Sequence, residues 1–165
     1  MPTPAEYEAI VEGLLKLAVK RDGYEDLVTH RLKKYLGKSG HEHAIDVAFE
    51  LTIAGLRFLV LVECKRYRRR VGIDDVMELA YRIRDIGAHK GVIVTTCGFQ
   101  DGAIDVAKSE GIGLLIAARG KMHTYMGACY TVWKYWLDSL FFTFDQHAQS
   151  LRVLPQRVAA GNCHA

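Results

Sequence analysis

The sequence predicts an α/β domain: a helix, an antiparallel hairpin, then parallel strands, with helices on both faces of a mixed sheet. Three observations predict it. Ile45, Val47, Phe49 and Leu51 alternate with the residues between them, the period of a strand with one apolar face. Ala54-Gly55 then makes a turn, and Phe58-Leu59-Val60-Leu61-Val62 follows, an apolar run that reads as a buried strand. Downstream, apolar runs at 91–96 and 112–117 alternate with helical patterns, as parallel strands joined by crossover helices do.

Each element has its own warrant. Pro4-Ala5-Glu6-Tyr7-Glu8 opens a helix, because proline and acidic residues suit a first turn. Tyr7, Ile10, Val11, Leu14, Leu15 and Ala18 form its apolar stripe, and Gly23 closes the region. Leu27 to Leu32, extending toward Lys34, is a short strand, and Gly37 to His43 a polar loop. A helix over about 72–88 starts with Asp74 and Asp75 and carries Val76, Leu79, Ala80 and Ile83 inward. Gly98-Phe99-Gln100-Asp101 leads into another helix ending near Glu110.

Half of the residues are hydrophobic and a quarter charged, which excludes a disordered chain. The net charge of +3 permits a nucleic-acid partner without requiring one. Met1 to Glu12 carries three glutamates and no long apolar core, so no secretory leader is expected. The four cysteines show no close pairing, and those in apolar runs read as reduced, buried thiols of a cytoplasmic protein.

Chemistry concentrates where the run 58–62 ends in Glu63-Cys64-Lys65. Strand alternation puts Glu63 and Lys65 on one face and Cys64 on the other. Alone, that pattern is equally an i, i+2 ion pair on a solvated edge. Across the hairpin, however, Asp46 can approach Glu63. Two nearby carboxylates stay ionised only with a cation between them, and an oxygen-only pair suits Mg²⁺, with Mn²⁺ as substitute. Lys65 would then orient the attacking water and stabilise charge in the transition state. Arg66, Arg68, Arg69 and Arg70 follow at once as a phosphate grip. His41-Glu42-His43 reads as a loop rather than a metal fragment, and Thr95-Thr96 with Gly98 fits anion binding or plain turn chemistry.

Ile45-Asp46 followed by Val62-Glu63-Cys64-Lys65 resembles the PD-(D/E)xK nuclease core, and more specifically the Mrr-like restriction endonuclease catalytic domain. Tyr7-Glu8, Leu14-Leu15, the segment Gly87 to Thr96, Gly98-Phe99 and Ala107 with Gly111 to Leu115 are similar to that domain in order. The resemblance covers about residues 5–118 and implies a restriction-endonuclease-like fold and metal-dependent DNA cleavage. It implies Asp46 and Glu63 as metal ligands and Lys65 as the catalytic amine. It also implies a first-helix glutamate, which Glu8 matches, with Glu12 one turn later as competitor; from the residues alone, Glu8 reads first as a first-turn acid favourable to the helix dipole. Two departures stand out. Asp74, Asp75 and Glu78 lie where such enzymes often carry a glutamine, and the DNA-recognition domain of full-length Mrr-type enzymes is not among these residues.

Residues 119–165 read as an aromatic-rich extension, with Tyr125, Tyr130, Trp133, Trp136, Phe141 and Phe142 in a short span. Thr124 to Phe144 could cross a bilayer by length, but Lys134 and Asp138 lie inside it. An amphipathic helix packing on the core or on a second copy is the expectation, making a homodimer possible and membrane attachment the lesser alternative. The expected function is a cytoplasmic Mg²⁺-dependent DNA endonuclease. The alternative is a catalytically inactive nucleic-acid-binding or assembly module on the same fold, membrane-associated in one version.

Overall fold

The computed structural model describes residues 2–21, 27–53, 55–118, 121–124, 144–145 and 150–151. Helix α1 spans Pro4–Arg21, and strands β1 (Leu27–Leu36), β2 (Glu42–Ile53) and β3 (Leu56–Lys65) follow. Then come α2 (Ile73–Ile86), β4 (Lys90–Thr95), α3 (Asp101–Glu110), β5 (Gly113–Ala118) and β6 (Lys121–Thr124). The six strands form one sheet in chain order. β1, β2 and β3 pair antiparallel, β3, β4 and β5 parallel, and β6 returns antiparallel to β5. The mixed α/β fold expected from the sequence is therefore present. The sheet also runs past residue 118, because β6 pairs Ala118 with Lys121. A two-stranded pair, β7 (Phe144–Asp145) with β8 (Ser150–Leu151), stands apart from it. The aromatic stretch 125–143 lies outside the described residues. Among the described residues no helix is long and apolar enough to cross a membrane.

Two cores sandwich the sheet. On one face Tyr7 and Val11 of α1 pack on Val47, Phe49, Val60, Val62, Val92 and Val94. On the other, Val76, Leu79 and Ala80 of α2 and Ala103 and Ala107 of α3 pack on Leu61, Ile93 and Leu114. Because side chains alternate along β3, Val60 and Val62 serve the first core and Leu61 the second. Each buried aliphatic contributes about 1.5–3 kcal/mol, so two such layers suffice to order the sheet. Gly91 permits the close approach of α2: a Cβ there would stand 2.3 Å from Ile83 Cδ1. Helix α1 starts on a capping box, in which Glu6 accepts from the Thr3 amide (2.6 Å) and Thr3 Oγ1 from the Glu6 amide (3.3 Å).

Three details differ from the sequence reading. Ile10 is 42% exposed, because only Tyr7, Val11, Leu14 and Leu15 of the α1 stripe reach the sheet. Cys97 is exposed rather than buried, since the β4 run ends at Thr95 and the chain turns outward; Cys64 is partly buried, and both thiols are free. Ile45 and Val47 do not share a core: Ile45 packs with the α2 side and Val47 with the α1 side. The β1–β2 ladder skips the position between Arg31↔Val47 and Lys33↔Ile45, where Leu32 takes a left-handed φ of 49° opposite Asp46. A leucine there is strained. The interruption re-aims β2 just where Asp46 stands.

Candidate active site

β2 and β3 are paired only as far as Val47↔Val62. Asp46 and Glu63 come next on their strands, at the mouth of a fork. From here β2 stays with β1, while β3 stays with β4 through Lys65↔Thr95. Asp46 Oδ2 accepts from the Cys64 amide at 2.8 Å, so a side chain takes a backbone donor that the ladder no longer satisfies. Sequence spacing brought these two acids together only in outline; the fork makes the meeting.

Glu63 is 4% exposed. Burial pushes its carboxyl up, Asp46 adds to the push, and Arg82 and Lys65 only partly offset it, leaving it at about 7. Its Oε1 accepts from Arg82 Nη1 (2.5 Å) and its Oε2 faces Lys65 Nζ (3.7 Å). Lys65 also lies 3.6 Å from Asp75 Oδ1. Burial alone would lower the Lys65 ammonium, but Glu63, Tyr67, Asp75 and Glu78 together outweigh it and hold it above its ordinary value. Lys65 is thus a charged donor at neutral pH in this state, not a free base.

Asp75 earns its place through α2. As the third residue of that helix it accepts from the Gly72 amide (3.3 Å), and its other oxygen accepts from the Tyr67 hydroxyl (3.1 Å). The helix cap thereby becomes the anchor for Lys65. Arg82, two turns further on, reaches back over the fork to Glu63, to the Ala44 carbonyl (3.4 Å) and to Glu78 (2.5 Å). Sequence reading missed the part played by Arg82, because Glu78 and Arg82 look like an ordinary surface i, i+4 pair.

Of the two α1 glutamates that compete for the site, Glu8 and Glu12, Glu8 is the one electrostatically coupled to Asp46. Burial first, then Asp46, raise its carboxyl, while Arg31 opposes them. Its Oε2 is buried and has no hydrogen-bond partner among the described residues. Glu12 instead ties α1 to β1, accepting from Thr29 Oγ1 (2.6 Å) and pairing with Lys16 (2.6 Å) and Arg31 (3.9 Å). Although burial acts to raise it, the Lys16 and Thr29 hydrogen bonds lead the forces that hold its carboxyl low. Carboxylates also crowd Cys64: burial, then Asp46, Glu8 and Glu63, push its thiol up.

Arg66, Arg68, Arg69 and Arg70 are exposed on the loop leaving β3. Arg66 donates to the Pro2 carbonyl (2.5 Å), and Arg69 lies over the Tyr67 ring at 4.9 Å. Arg66, Tyr67, Arg68, Pro2, Thr96 and Cys97 line a groove of about 460 Å³ beside the fork. His43 is committed elsewhere, to Asp85 (2.6 Å), and His41 is exposed.

These donors fit a hard divalent cation. They are oxygens only, Glu63 carries a buried charge that its neighbours compensate incompletely, and Glu8 presents an unpartnered buried oxygen. Among the described residues no group of three or more His, Cys, Asp or Glu forms a ready-made metal site. The fit rests on Asp46 and Glu63, with water and phosphate to complete a shell.

Three solved structures are similar to this chain. A crystal structure of a protein of unknown function, AF1548, is 24% identical, covers 65% of this chain and 56% of its own, and has a TM-score of 0.51. MspJI restriction endonuclease in complex with a 27-mer oligonucleotide is 16% identical over 67% of this chain and 25% of its own, with a TM-score of 0.48. The DNA modification-dependent restriction endonuclease AspBHI is 21% identical over 72% and 34%, with a TM-score of 0.41. This chain therefore spans between a quarter and just over half of those chains. No curated protein matches it. A family model described as restriction endonuclease, of the Mrr catalytic type, matches residues 3–119. The chain belongs to that restriction endonuclease family.

Proposed function

We propose that this protein is a metal-dependent DNA endonuclease of the Mrr-like type that hydrolyses phosphodiester bonds. The observation that carries it is the buried Glu63 carboxylate, next to Asp46 at the strand fork and with Lys65 on its own face. In this reading Asp46 and Glu63 hold Mg²⁺, which supplies a Lewis acid and a more acidic water. Lys65, fixed by Glu63 and Asp75, orients the attacking water and stabilises negative charge developing on the phosphoryl oxygens. Glu8 supports the same site from α1. Arg66, Arg68, Arg69 and Arg70 track the phosphate backbone from the adjoining loop, so affinity is strongly salt-dependent, with a slope that falls by about one per arginine removed.

The test is plasmid cleavage in Mg²⁺ and in EDTA, with purified Asp46→Ala, Glu63→Ala and Lys65→Ala alongside. Nicking by the parent that EDTA abolishes, and that all three variants lack, is the expected result. Retained cleavage in the three variants overturns the site. A salt-sensitive gel shift without any nicking favours a binding module on the same fold.

A further inference from the structure

Glu63 already has two cationic neighbours before any metal arrives. Its Oε1 is taken by Arg82 and its Oε2 faces Lys65, so a cation approaching the Asp46–Glu63 pair meets an occupied carboxylate. Arg82 is not confined to that contact. Its second nitrogen, Nη2, pairs with Glu78, which is half exposed, and Nη1 also touches the Ala44 carbonyl. The guanidinium therefore has somewhere to go: it can leave Glu63 and remain on Glu78 one turn away.

We propose that Arg82 is a placeholder cation that occupies Glu63 in the metal-free protein and moves toward Glu78 when a divalent ion binds, setting the metal affinity of the site. The inference rests on the metal-binding reading of Asp46 and Glu63. Its physical basis is competition. A divalent ion and a guanidinium crowded onto one buried carboxylate repel each other, so metal binding expends part of its free energy on displacing Arg82 from Glu63. Removing the placeholder tightens metal binding, the opposite of what loss of a merely structural residue does. Arg82 is on this view a positioning residue that acts through Glu63.

Mn²⁺ binding to the full chain, followed by electron paramagnetic resonance of the free ion without DNA, tests it. Arg82→Gln removes the charge and is expected to tighten Mn²⁺ binding roughly tenfold or more, as loss of a close charge contact does. Arg82→Lys keeps the charge but cannot bridge Glu63, Ala44 and Glu78 at once, so it also tightens binding, by a smaller factor. That variant separates displacement from a general field effect, which would leave Arg82→Lys at the parent affinity. Arg84→Gln, which removes an exposed charge from the same helix, is expected to bind as the parent does. Parent-like or weaker binding by Arg82→Lys overturns the proposal, and so does equal tightening by Arg84→Gln and Arg82→Gln. Glu63→Gln isolates the underlying reading: if it binds Mn²⁺ as the parent does, or if the parent binds none, the metal assignment fails. If Glu63→Gln loses binding while both Arg82 variants match the parent, the placeholder alone fails.

Discussion

Helix α2 reaches two buried carboxylate centres in successive turns, and they have opposite characters. At Glu63, Arg82 and Lys65 face the carboxyl, yet burial and the neighbouring Asp46 still drive it up to about 7. At Asp85 the carboxyl is held down at about 2, first by the Ser39 hydroxyl, then by His43 and the Ser39 amide. The Asp85 contacts are short: Ser39 Oγ and His43 Nε2 both reach Oδ2 at 2.6 Å, and the Ser39 amide reaches Oδ1 at 2.8 Å. Both side chains are more than nine-tenths buried. At Glu63 burial is the leading cause and the second acid adds to it, whereas at Asp85 the hydrogen bonds from Ser39 and His43 outweigh burial. Asp85 pins the turn after β1 to α2 and leaves nothing for a ligand. Glu63 is left with charge to give.

The largest expected effect comes from converting the strained centre into a satisfied one. Glu63→Gln should cut cleavage by about 10²-fold or more, the scale of losing one charge-stabilising group. It should also make the metal-free protein more stable at pH 8. The sign follows from the raised carboxyl: its cost is fully present above pH 7 and fades as pH falls toward the ordinary glutamate value. Urea midpoints of parent and variant should thus differ at pH 8 and converge near pH 5. A variant less stable at pH 8 would break the contrast.

Next in size is Asp85→Asn, which should destabilise the fold. Since the carboxyl of Asp85 is lowered, its contribution is present above the unfolded aspartate value and lost as pH falls through about 2. The stability gap between parent and Asp85→Asn should be constant above about pH 4 and close toward pH 2. A gap that instead grows on acidification would show that Asp85 is not the satisfied centre.

The smallest effect sharpens the geometry. Gly37 stands so close to the clamp that a Cβ would lie 1.9 Å from Asp85 Oδ2. Gly37→Ala should cost about 1–3 kcal/mol by overpacking, measured as a fall in the unfolding midpoint. Added to Asp85→Asn it should cost less than on its own, because the clamp it disturbs is already weakened.

Much of this was legible in one dimension. The period of 45–51, the turn at Ala54-Gly55, the buried run 58–62 and the two crossovers are short-range patterns, and the sheet carries them in order. That Asp46 can approach Glu63 followed in outline from the hairpin, and the arginine loop from its place after Lys65. What only the tertiary structure decided is which charges meet. Arg82 joins Glu63 from another element, and Asp85 joins Ser39 and His43 across more than forty residues. In the sequence each is just a polar residue on an amphipathic helix. Periodicity reports which face of an element is wet or dry, because that depends on neighbours a few residues away. Whether a buried acid is satisfied or left hungry depends on where the other helices and turns bring their donors, and that is settled only when the layers close.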